Sequence, residues 1–174
     1  YYFTSKGGDL YQVRTNEDGT FVERSLNRLH LDNGGNDDNT PPMSTSTPVI
    51  HNGRAYIGVS GVSQFGAYSG HNMTVVDLES FSIAYTVPTQ GYPQTSGLMT
   101  TGYDDGVYVY FMDNYTPGVM RVIHDAPGQT ALEGGVTEEF TSDKGVSGTY
   151  TDCAPVVFTP RGSLAQYCIG SPVT

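Results

Sequence analysis

The chain has 174 residues and a formal net charge of −10, with eight Lys and Arg against eighteen Asp and Glu. That length suffices for one domain with a substantial core, or for several small repeated units. So acidic a chain repels a phosphate backbone, which excludes nucleic acid as an expected partner, and no apolar run is long enough to span a bilayer as a helix.

Twenty-two Gly and ten Pro accompany thirteen Tyr, seven Phe and no Trp. Gly and Pro punctuate turns while Tyr, Val, Ile and Thr favour a pleated surface, so the composition predicts an all-β chain. The first residues, "YYFTSKGG", have neither the basic region nor the apolar stretch of a signal peptide. A chain opening on Tyr1 is expected to be processed or excised, with any targeting signal upstream.

"YYFTSKGGDLYQVRT" alternates apolar and polar residues on either side of Lys6-Gly7-Gly8-Asp9 and predicts a hairpin, with Tyr2, Leu10, Tyr11 and Val13 in the core. "NEDG" makes the next turn and "TFVERSL" a third strand, followed by a polar surface loop, "NRLHLDNGGNDDNTPPMS". In "TPVIHNGRAYIGV", Asn52-Gly53 between two apolar runs is the strongest hairpin signal in the chain. "NMTVVDL" and "FSIAYTV", joined through Glu79-Ser80, complete a four-stranded antiparallel meander. "GLMTT", "VYVYFM" and "VMRVIHD" repeat the order, a polar insert runs from about residue 126 to 151, and "APVVFTP" is expected as the outer strand. "IGSPVT" then begins a further copy.

Aligned, the first strands carry Ser46, Ser96 and Ser171, the second Tyr2, Tyr56 and Tyr108, and the third end on Val13, Val76 and Val122. The repeats are 1–45 (lacking a first strand), 46–94 and 95–170, with 171–174 starting another. A period of roughly fifty residues suits β-propeller blades, although β-sandwiches also string short strands between turns.

"STPVIHNGRAYIGVSG" followed by "MTVVDLESFSIAYTV" resembles the propeller repeats of the pyrroloquinoline-quinone-like group, and "YYFTSKGGDLYQV" resembles the middle of the same repeat. The resemblance implies a propeller-like array of about three four-stranded blades from a secreted or surface bacterial protein. Three blades are fewer than the roughly four to eight of a ring. The chain is thus expected to be part of a larger propeller, or half of a six-bladed homodimer. Enzymes of that group hold the quinone with a Trp platform, a vicinal disulfide, an Asp base and calcium. This chain has no Trp and no adjacent cysteines, so the fold transfers and the dehydrogenase chemistry does not.

Cys153 and Cys168 are the only cysteines, and if "APVVFTP" and "SLAQYC" face each other around "TPRG" they oppose one another. A disulfide there, closing a loop of about fifteen residues, contributes on the order of 3 kcal/mol; two buried thiols are the alternative. Asp32, Asn36, Asp37 and Asp38 gather hard oxygen donors on one loop and are weighed as a calcium site against a solvated acidic loop; the spacing is not that of an EF-hand. Asp104 and Asp105 are turn residues before they are an acid–base pair.

His30, His51, His71 and His124 have no metal-ligand spacing, and no serine sits in a nucleophile elbow. "SGVSQFGAYSGHN" presents Phe65, Tyr68 and His71 among Gly and Ser, either as a recognition loop for a sugar or protein or as rings folded back onto the blade. Tyr92 in "QGYPQ" and Tyr115 in "DNYTPG" are similar candidates, and the sequons at Asn72 and Asn114 are coincidental in a bacterial protein. No catalytic residue and no cofactor other than calcium is expected. The sequence therefore reads as a non-catalytic extracellular module displaying loops for a protein, glycan or cell-wall partner. The rival readings are a fragment of a quinone-dependent or hydrolytic enzyme with its active site elsewhere, and a structural spacer.

Overall fold

A computed structural model describes residues 1–31, 41–62, 68–101, 106–115, 119–131, 138–141, 154–158 and 166–168. The first sheet is a meander of β1 (Tyr2–Thr4), β2 (Asp9–Gln12) and β3 (Asn27–His30). The second is built on β6 (Arg54–Val62), with β7 (Tyr68–Asp77) and β8 (Ser82–Pro88) following on one side. The short strands β4 (Pro42–Met43) and β5 (Val49–His51) share the other side of β6. The third sheet is β9 (Leu98–Thr101), β10 (Val107–Asp113), β11 (Val119–Asp125) and β12 (Glu138–Thr141) in spatial order. A separate hairpin joins β13 (Val156–Phe158) to β14 (Gln166–Cys168).

Every strand pair is antiparallel, no helix occurs among the described residues, and therefore none is long and apolar enough to cross a membrane. The sheets are open, and the described residues form no closed barrel or propeller ring.

The turn at Asn52-Gly53 has both residues at positive φ, 45° and 75°, the combination that matches the twist of a two-residue hairpin. Alternation along β6 then sends Ala55, Ile57 and Val59 to one face, where they pack with Leu10, Leu31 and Val76 between the first and second sheets. Tyr56 lies on the other face, packed with Met73, Val75, Tyr85 and Val87 against Val107, Val109, Phe111 and Ile123 of the third sheet. The second sheet is thus covered on both sides, which explains why eight of the nine residues of β6 are buried.

Two expected strands lie elsewhere. The third strand of the first sheet is Asn27–His30, not residues 20–26, because β2 pairs Leu10 with Leu29 and leaves Leu31 fully buried beyond it. Phe21 and Leu26 end up exposed. The outer strand of the third sheet is β12, inside the expected polar insert, while Val156–Phe158 pairs only with β14. That hairpin sets Cys168 opposite Val156 rather than Cys153; Cys153 itself lies outside the described residues.

The segments preceding β5 and β9 lie side by side. Thr45 Oγ1 donates to Gln94 O at 3.4 Å, Ser46 Oγ to Thr95 O at 3.1 Å, and Thr47 N to Ser96 Oγ at 3.0 Å. All three contacts span 49 residues. Thr4 Oγ1 reaches Ser46 O at 2.6 Å, so hydroxyl contacts step from the first sheet to the second and from the second to the third.

Candidate functional site

The contact between the second and third sheets is apolar in the middle and polar at both ends. At one end Asp125, fully buried at the end of β11, accepts from Arg54 Nη1 at 2.8 Å, Tyr56 Oη at 2.6 Å and Tyr85 Oη at 2.5 Å. Arg54 Nη2 also donates to Gln129 O at 2.6 Å. Burial first, then the hydrogen bonds to Asp125, push both phenols well above their ordinary value, so they stay protonated donors at any working pH. Every donor here points into the core, and the group clamps the sheets together.

The opposite end holds the candidate site. Antiparallel order brings the end of β6, the start of β7, the end of β8, the end of β10 and the start of β11 to one rim. A bulge in β6 between Val59 and Gly61 turns Ser60 out of the regular register. Its Oγ lies 2.8 Å from His71 Nδ1 and donates within reach of Gly61 O at 3.0 Å. His71 is half-buried; burial holds its imidazole below the usual value, partly opposed by the Asp113 carboxylate across the sheet contact.

Asp113 ends β10 and is fully buried. Its Oδ2 accepts from Arg121 Nε at 2.6 Å and from Gln90 N at 3.2 Å, while Oδ1 has no hydrogen-bond partner among the described residues. Burial raises this carboxyl above its ordinary value, with Arg121 and the backbone N–H groups working against the shift.

The connection from β8 to β9 crosses this rim in a fixed path. Thr89 N donates to His71 O at 3.0 Å, Asn114 N to Tyr92 O at 3.0 Å, and Asn114 Nδ2 to Gln94 Oε1 at 3.0 Å. A Cβ on Gly91 would collide with the carbonyl of Asn114, and one on Gly58 with the carbonyl of Pro93, so glycine is required for this backbone to lie so close. Beside it Tyr115 stands exposed.

Of the candidates read from the sequence, the fold brings His71 of β7, Tyr92 of the β8–β9 connection and Tyr115 of the β10–β11 connection to this one rim. Tyr92 is buried and its Oη accepts from Thr45 N at 2.8 Å, so it braces the rim instead of displaying a ring. Tyr68 starts β7 opposite Val62, also at the rim. Phe65, the proposed calcium ligands Asp32, Asn36, Asp37 and Asp38, and the pair Asp104 and Asp105 lie outside the described residues. Among the described residues no group of three His, Cys, Asp or Glu could hold a metal ion.

The remaining histidines are scattered. His30 Nδ1 meets Asp9 Oδ1 at 2.9 Å, and His124 stacks on Tyr108 at 4.6 Å. Asn72 is buried with its Nδ2 donated to Gly70 O, which removes that sequon from reach.

The sequence reading missed Ser60, Asp113 and Arg121. The available signal was Arg121 in the apolar run "VMRVIHD", since a charge there must find a partner when the strand is buried on both faces. Which carboxylate it would meet depends on cross-strand register, which spacing alone does not give. No protein-family model matches this chain, and no curated protein matches it.

Proposed function

We propose that this chain is a non-catalytic binding module, a propeller-like stack of β-meanders whose ligand sits at the rim formed by His71, Asn114 and Tyr115. What carries the reading is their convergence, from β7 and from the β10–β11 connection, onto a rim whose backbone is braced by Gly91, Tyr92 and Gln94. A preorganised rim of imidazole, amide and phenol, with rigid backbone beneath, is what selective binding of a hydroxyl-rich ligand requires. The net charge of −10 disfavours polyanions, so the ligand class is a neutral glycan. The likeness to quinone-group propeller repeats supports a bacterial extracellular or cell-surface setting.

A hydrolytic reading draws on the Ser60–His71 pair, but it suits the geometry less well. Ser60 is fully buried, and a nucleophile must reach its substrate. The test is an NMR titration of the 174-residue chain with neutral hexasaccharides of glucose, mannose, galactose and N-acetylglucosamine. Saturable shifts at His71, Asn114 and Tyr115, lost in Tyr115→Ala, support the proposal. Shifts confined to other residues, or none with any sugar, overturn it.

A further inference from the structure

Among the described residues the first sheet lacks a strand that the other two have. In the second sheet β5 pairs with β6 and sets Val49 opposite Tyr56; in the third β9 pairs with β10 and sets Thr100 opposite Tyr108. Tyr2 holds the matching place in the first sheet, where β1 pairs only with β2 among the described residues.

Hydrogen-bond parity shows what that edge offers. Tyr1 exchanges bonds with Val13 at 2.8 and 2.9 Å, and Ser5 N donates to Asp9 O at 3.0 Å. Tyr1, Phe3 and Ser5 thus turn their main-chain groups toward β2. The N–H and C=O groups of Tyr2 and Thr4 point out of the open edge, where no main-chain partner meets them among the described residues. The same parity holds in β6: Leu78 N donates to Gly53 O at 2.8 Å, which turns the main chain of Tyr56 toward β5. A groove of about 280 Å³ runs beside β1, lined by Tyr2, Phe3, Thr4 and Lys6 and by Thr47 and Pro48 of the segment before β5. Tyr2 and Phe3 point to opposite faces of the sheet, so a groove that touches both lies along its edge.

We propose that this edge takes an extended peptide of a partner protein by strand addition, antiparallel to β1. The peptide's chemistry follows from its neighbours. Opposite residues of an antiparallel pair share a face, so the residue opposite Tyr2 points toward the second sheet. Val49, opposite Tyr56, points toward the third in the same way, its Cγ2 3.7 Å from where a Cβ on Gly97 would lie. A β-branched residue fits there. The preceding residue lies beside the exposed ring of Phe3 with its nitrogen turned away from β1, which suits proline; Pro48 holds that place before Val49. A small residue faces Thr4. Lys6 is exposed and in no ion pair among the described residues, and it calls for an acidic residue two positions nearer the peptide's N-terminus. The edge is separate from the glycan rim, since neither His71 nor Tyr115 lines the groove.

The capped peptide acetyl-Glu-Ser-Thr-Pro-Val-Ile-His-amide meets these requirements, with its valine opposite Tyr2 and its glutamate beside Lys6. Titrated into the isotope-labelled full chain and followed by NMR, it is expected to give saturable shifts at the amides of Tyr2 and Thr4 and to slow their exchange with solvent. Methylating the valine nitrogen removes its bond to Tyr2 O and is expected to weaken binding about tenfold. In the variant Lys6→Glu, at an exposed turn, the peptide is expected to lose affinity relative to its glutamine counterpart. Absence of saturable shifts at Tyr2 and Thr4 with millimolar peptide overturns the proposal, and so does equal affinity for the methylated peptide. Shifts at these amides that follow the chain's own concentration and not the peptide's assign the edge to a second copy, and overturn it as well.

Discussion

Replacing Asp125 by Ala is the sharpest test of how the second and third sheets are held together. The carboxylate accepts from one guanidinium and two phenols, all within 2.8 Å, and both Asp125 and Arg54 are nearly inaccessible. Removing one partner of a buried ion pair leaves the other charge uncompensated and costs about 3–5 kcal/mol. The two orphaned phenols place this case toward the upper end, although the three losses share one acceptor and do not add. With about 2–4 °C per kcal/mol for a chain of this size, a loss of about 4 kcal/mol lowers Tm by roughly 8–16 °C. Urea denaturation followed by circular dichroism measures the change directly.

The cost belongs to stranded polar groups and not to the pair as such. The fourfold replacement Arg54→Met, Tyr56→Phe, Tyr85→Phe and Asp125→Leu therefore costs less than Asp125→Ala alone. A loss below about 1 kcal/mol for Asp125→Ala, the size of an exposed pair, would refute the reasoning, since it would mean that water reaches the clamp.

Gly58→Ala forces a Cβ into the Pro93 carbonyl and is expected to cost on the order of 3 kcal/mol, whereas Gly53→Ala, at φ 75° in open space, costs only about 1–2 kcal/mol of backbone strain; thermal melts rank them. For His71 the folded state disfavours the proton, so the unfolded chain binds it first as pH falls. Stability is therefore full above 6.5 and declines below it, and His71→Gln flattens that part of a stability–pH curve. Ser60, buried beside His71, is expected to resist fluorophosphonate, and stoichiometric labelling detected by intact mass would revive the hydrolytic reading.

The meander of the second sheet was legible because its signals are local: Asn52-Gly53 fixes the turn, and the alternation along Arg54–Val62 fixes the faces. The misplaced strands failed for non-local reasons. "TFVERSL" has better strand composition than "NRLH", but β2 offers its edge to the latter through Leu10 and Leu29. Tyr92 looked like a displayed ring until its partner Thr45, 47 residues away, took its hydroxyl. Arg121 and Asp113 were visible as charges but not as a pair, because β10 and β11 set that neighbour through a seven-residue register.

The hydroxyl contacts among Thr4, Ser46, Thr47, Thr95 and Ser96 bear on how such a chain lengthens or shortens. Most are made through main-chain groups, so they depend on where a segment starts and little on the residues downstream of it. Loops inside a meander can then grow without disturbing the joint, as the long stretch between β11 and β12 shows. A unit cut at Thr45 and again at Gln94 carries one complete half-joint at each end. Recombination at those two points exchanges whole meanders like cassettes, and a chain engineered with residues 46–94 duplicated inherits a matching seam.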